Sequence, residues 1–109
     1  MEITQRKRAG KRKMSISGEM SIYEAMELKE SLLGALEDIQ TLEINLSQVT
    51  EIDTVGFQML VLAKREAERD NKTLQLVEHS EATRDVIDTF RMADYFGDPI
   101  VIPASRKKD

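Results

Sequence analysis

The stretch Leu42-Glu43-Ile44-Asn45-Leu46-Ser47-Gln48-Val49-Thr50-Glu51-Ile52-Asp53-Thr54-Val55-Gly56-Phe57-Gln58-Met59-Leu60 decides the fold. Its first residues alternate: Leu42, Ile44 and Leu46 are separated by Glu43 and Asn45, the period of two that a strand needs to bury one face. A polar run over 47–51, interrupted only by Val49, leads to Ile52-Asp53-Thr54. From residue 55 to 69 the period changes to that of a helix, with Gly56, Leu60, Ala63 and Ala67 on one stripe and Asp70-Asn71 as the stop. Asp53 or Thr54 can cap that helix. The stretch is therefore strand, turn, helix.

The same pattern continues on both sides. Toward the C-terminus, residues 73–77 read as another strand, and Ser80 caps a third helix carrying Val86, Ile87 and Phe90. A short helical turn follows with Met92, Tyr95 and Phe96, and Gly97 closes it. Ile100-Val101-Ile102, between Pro99 and Pro103, reads as a final edge strand, with residues 104–109 as a loose tail. Toward the N-terminus, Ser21 and Glu24 form an S-x-x-E capping box. Behind it Ile22, Ala25, Met26, Leu32, Leu33, Leu36 and Ile39 recur at helical spacing, which predicts a helix over 22–37. Residues 13–17 alternate as a strand that Gly18 ends, Ala9-Gly10 is a turn, and residues 2–7 are a strand candidate. The order β-β-α-β-α-β-α-β implies an α/β fold with a mixed, mostly parallel sheet of four to five strands and right-handed crossovers.

The chain's 109 residues make one domain, and burial of roughly 60–70% of its unfolded surface supplies a core without staples. No cysteine is present, which removes disulfides and thiol chemistry and permits a reducing compartment. No apolar run approaches the ~20 residues of a membrane helix, and the basic N-terminus lacks the apolar segment of a secretory signal. The expected location is the cytoplasm, and the absence of heptads favours a monomer.

Net charge is −4 and uneven. Residues 1–13 hold six cations (Arg6, Lys7, Arg8, Lys11, Arg12, Lys13) against Glu2, leaving ten basic and nineteen acidic residues in the rest. An acidic body argues against nucleic acid as the ligand. The basic segment has two readings, a solvated hairpin or tail and a contact with an anionic partner or lipid surface.

Catalytic chemistry has few candidates. His79 is the one histidine, at a strand-to-helix turn, where a surface or capping role is more usual than that of a base. Ser-His-Asp arrangements, clustered metal ligands and phosphate-cradling glycine loops are all missing, so no catalytic residue, metal or cofactor is expected. One constellation stands out, Asp53-Thr54-Val55-Gly56 at a helix mouth just beyond a strand, where binding sites of parallel sheets gather. The ordinary reading of Asp-Thr there is an N-cap pair. A phosphate on Thr54 would add about −1.5 to −2 charges that a helix start tolerates and a partner docked at Asp53 would not.

The stretch from Leu42 to Leu60 resembles the signature of STAS domains: a strand ending in asparagine or aspartate-leucine-serine, a short loop, then aspartate-serine-or-threonine-x-glycine-leucine opening a helix. Ser17-Gly18-Glu19-Met20 resembles the motif that precedes the family's first helix, and residues 74–96 resemble its following strand, serine-capped helix and short turn. The likeness spans about residues 13–102. It implies a STAS-like fold and a non-catalytic, protein-binding regulatory role. In relatives that antagonise anti-sigma factors, a serine-kinase-type partner phosphorylates the residue after the aspartate. Asp53 then matches the family aspartate, Thr54 the phosphoacceptor and Gly56 the glycine, with Val55, Gly56 and Phe57 on the docking surface. Phe57 stands where leucine or isoleucine is usual, and an aromatic in a first helical turn is more often core. The alternative the resemblance implies is a constitutive adaptor on the ATPase of an ABC lipid transporter, without phosphorylation; the ending Gly97 to Pro103 resembles that of small relatives encoded beside chemotaxis proteins.

Overall fold

The computed structural model describes residues 1–90. A hairpin opens the chain: β1 (Glu2–Arg8) pairs antiparallel with β2 (Lys11–Met20) through a two-residue turn, Ala9-Gly10, in which both residues have positive φ (50° and 80°). That is the twist-matching geometry of tight hairpins. A 3-10 turn over Ile22–Glu24 leads into α1 (Ala25–Ala35), followed by β3 (Thr41–Ile52), α2 (Thr54–Arg69), β4 (Thr73–Val77) and α3 (Glu81–Thr89). The sheet runs β1-β2-β3-β4, with β2, β3 and β4 parallel. The mixed, mostly parallel α/β arrangement expected from the sequence is the one observed. The short turn around Met92 to Phe96 and the final strand at Ile100 to Ile102 lie outside the described residues.

Alternation sets the faces. Met14 and Ile16 on β2, Leu42, Ile44 and Leu46 on β3, and Leu74 and Leu76 on β4 are all buried. They meet Leu28, Leu32 and Ala35 of α1, Phe57, Leu60, Ala63 and Ala67 of α2, and Ile87 of α3 in one core. Removal of a fully buried leucine from such a core costs about 2–5 kcal/mol.

The largest differences from the sequence reading lie in β2, β3 and the first helix. β2 continues through Gly18 to Met20, and β3 through the polar run to Ile52, because register shifts at Ser15/Ser17 and Gly18/Glu19 let the two strands keep pairing after strict alternation ends. The first helix starts as a 3-10 turn and its α-helix closes at Ala35. Its leading apolar residues, Ile22 and Met26, are 57% and 68% exposed and lie outside the core they were expected to join.

Candidate functional site

β2 and β3 end together, Met20 opposite Ile52, and Asp53 N–H extends the ladder by donating to Met20 C=O (3.2 Å). Asp53 then turns the chain into α2 as its N-cap: Gly56 N–H donates to its Oδ1 (2.8 Å) and Phe57 N–H to its carbonyl (3.0 Å). The other carboxylate oxygen, Oδ2, accepts from Ile22 N–H (2.9 Å), at the start of the 3-10 turn. One side chain thus satisfies orphan donors of two helical segments. The Gly56 N–H above all holds the Asp53 carboxyl below the usual aspartate range; burial opposes it, and the amides of Ile22 and Val55 add to the lowering. Asp53 is charged at neutral pH.

Ser21 organises the facing turn. Tyr23 N–H donates to Ser21 Oγ (3.2 Å), and that hydroxyl donates to Glu24 Oε1 (2.6 Å). The Ser21–Glu24 pair expected from the sequence is present, with the glutamate meeting the serine hydroxyl.

Thr54 is the first residue of α2 and is exposed. It lies between two open clefts. One, of about 470 Å³, runs beside Phe57, Val61, Leu62, Arg65 and Phe90. The other, of about 610 Å³, is bordered by Glu51, Asp53, Asp85, Val86 and Phe90. Val55 is half-buried. Gly56 is buried, and a Cβ there would sit 2.1 Å from Met20 O and 2.8 Å from Met20 C, so its small size serves the seating of α2 against the end of β2. Phe57 is 4% exposed and stacks on Phe90 with centroids 5.1 Å apart, contributing to the core and to one wall of a cleft. Asp53 and Thr54 are therefore the exposed part of the five-residue site, and Gly56 and Phe57 are its support.

An apolar flank was missed. Ile22, 91%-exposed Tyr23 and Met26 lie beside the Asp53 cap, tied to it through the Ile22 amide. Only part of the signal is local: the Ser21 cap puts Ile22 and Tyr23 in a first turn, while the ends of β2 and β3, which leave that turn uncovered, are set by strand pairing. His79, half-buried, lies in the β4–α3 connection. Among the described residues no cluster of three metal-ligating side chains forms, and no helix is long and apolar enough to cross a membrane.

No curated protein matches this chain in sequence. Solved structures do match in fold. An anti-sigma factor antagonist from Mycobacterium paratuberculosis superposes with a TM-score of 0.78 at 23% identity, over 93% of this chain and 88% of that one. The phosphorylated form of the Bacillus cell fate determinant SpoIIAA gives 0.70 at 14% identity over 96% of each chain. The unphosphorylated form of the anti-sigma factor antagonist SpoIIAA gives 0.66 at 16% identity, over 80% of this chain and 82% of that one. A family model described as Mlab, STAS domain, matches residues 3–102, nearly the full length and including every residue of the Asp53 site. The chain belongs to the STAS domain family.

Proposed function

We propose that this protein is a non-catalytic, protein-binding switch whose docking surface centres on Asp53 and Thr54, with Val55, Gly56 and Phe57 behind it, and that phosphorylation of Thr54 releases the partner. The partner is a serine/threonine-kinase-type anti-sigma factor or a related signalling ATPase, and the encounter takes place in the cytoplasm. One observation carries this reading: Thr54 is exposed at the helix start while the neighbouring Asp53 carboxylate does the capping. A phosphate on Thr54 leaves that cap in place. It adds about −1.5 to −2 charges beside Asp53, Glu51 and Asp85, turning an acidic edge into one that repels an acidic or closely fitted partner.

The test is capture from native lysate on immobilised wild-type protein and on Thr54→Glu, with thermal melts of both. The expected result is a kinase-type protein retained by the wild type and released by the variant, at nearly equal melting temperatures. Equal retention by both would sink the switch, and a large fall in melting temperature would make Thr54 a structural residue.

The exposed Ile22, Tyr23 and Met26 favour a second reading, a constitutive adaptor on an ABC-transporter ATPase, since permanent interfaces are more apolar than switched ones. Its mark is a stoichiometric complex with that ATPase and no phosphopeptide covering Thr54.

A further inference from the structure

The hairpin at the opposite end of β2 is assembled against its own electrostatics. Its last three cross-strand pairs, Arg6↔Lys13, Lys7↔Arg12 and Arg8↔Lys11, each set a cation directly opposite a cation. Like charges so placed destabilise a hairpin. Two of the six have internal work: Arg12 Nη1 donates to Ala35 C=O (2.6 Å) at the end of α1, and Lys11 pairs with Glu43 (3.0 Å). Arg6, Lys7, Arg8 and Lys13 are exposed, and among the described residues none has an ion pair. Blunting of the sheet edge accounts for charges on β1, the edge strand. Lys13, on a strand that pairs on both sides, stands in register beside Glu43, whose carboxylate pairs with Lys11 instead.

Register places Arg6, Arg8, Lys11 and Lys13 on the sheet face opposite Met14 and Ile16, while Lys7 and Arg12 lie on the other. The positive charge thus surrounds the hairpin and forms no single track. From Thr4 to Lys13 the only apolar side chain is Ala9, and no aromatic is present. The cleft of about 450 Å³ on this surface is lined by Arg6, Lys7, Arg8, Ala9, Lys11 and Lys13, with no large apolar side chain to anchor a peptide and no aromatic platform for stacking a base. The surface suits a diffuse, fluid array of negative charge.

We propose that the β1–β2 hairpin docks on the anionic headgroups of a lipid bilayer. Clusters of this size on one segment attract such surfaces, and Glu43, the acidic residue in register beside Lys13, is taken up by its ion pair with Lys11. The ten residues of β2 separate the hairpin tip from the Asp53 cap by ~30 Å, so a protein held this way keeps that cap open to the solvent side.

The test is co-sedimentation of the full chain with vesicles of mixed phosphatidylglycerol and phosphatidylcholine, against phosphatidylcholine alone, at low and high salt. The expected result is binding to the mixed vesicles only, despite a net charge of −4, and its loss at high salt. Arg6→Ser/Arg8→Ser/Lys13→Ser weakens it on the order of 100-fold, while Lys29→Gln/Arg84→Gln, which removes charge elsewhere, leaves it intact. A melting temperature of the triple variant at or above wild type keeps the loss from being one of folding. No binding to the mixed vesicles at low salt, equal binding to both vesicle types, or binding indifferent to the triple substitution would overturn the proposal. Capture of an acidic protein in place of vesicles would overturn it in favour of a protein contact.

Discussion

The two ends of β2 treat polarity in opposite ways. At the Met20 end, the groups that form the cap are answered inside the chain: the Asp53 carboxylate by the Gly56 and Ile22 amides, and the Ser21 hydroxyl by Glu24 and the Tyr23 amide. At the Lys11 end, cations are stacked opposite cations and most are left unanswered. Satisfied polar groups fix a geometry, because an unpaired one costs more than the bond returns. Unsatisfied surface charge fixes nothing within the fold and remains available to something outside it. The first end is built to hold a shape, and the second to carry a field.

Substitutions can break that contrast. Gly56→Ala has the largest expected effect, since its Cβ would overlap the backbone of Met20. A cost of about 3 kcal/mol follows from overpacking, read as a drop in melting temperature of roughly 15 °C. Next comes Asp53→Ala, which removes the shared cap and costs about 1–2 kcal/mol. The charge of Asp53 can be isolated by pH. Its carboxyl ionises at lower pH in the folded chain than in the unfolded one, where the value is about 3.9. Its contribution is therefore complete above that value and is lost as pH falls through the lower folded value. Urea midpoints of wild type and Asp53→Asn should accordingly differ at about pH 6, and the gap should narrow as pH falls below the ordinary aspartate value; a gap unchanged in acid would remove the charge from the account. The smallest effect is at the other end. Arg6→Thr/Arg8→Thr should leave stability unchanged or raise it by about 0.2–1 kcal/mol, and a clear loss would mean that the hairpin's charges have internal partners after all.

Sequence patterns carried most of the frame. The expected bounds of β4 coincide with those observed, and α2 begins one residue earlier than expected, at Thr54. Asp53 and Ser80 cap α2 and α3 as their residue types suggest. These features are local, written by periodicity and by side chains that bond to nearby amides. The misreadings needed non-local information. Bulges carry β2 past Gly18 and β3 through its polar run by re-registering two strands against each other, which no single strand's pattern encodes. Ile22 and Met26 have helical spacing, but whether a strand lies beneath them depends on where β2 and β3 stop. The second tie of Asp53, to Ile22, joins residues distant in sequence and could not be read from the cap motif.

That second tie has a consequence for motion. The amides of Ile22 and Gly56 share one acceptor group, so a single excursion of the Asp53 side chain uncovers both. The lead-in to α1 and the first turn of α2 then open and close as one cooperative unit. A ligand that grips either start restrains the other without touching it.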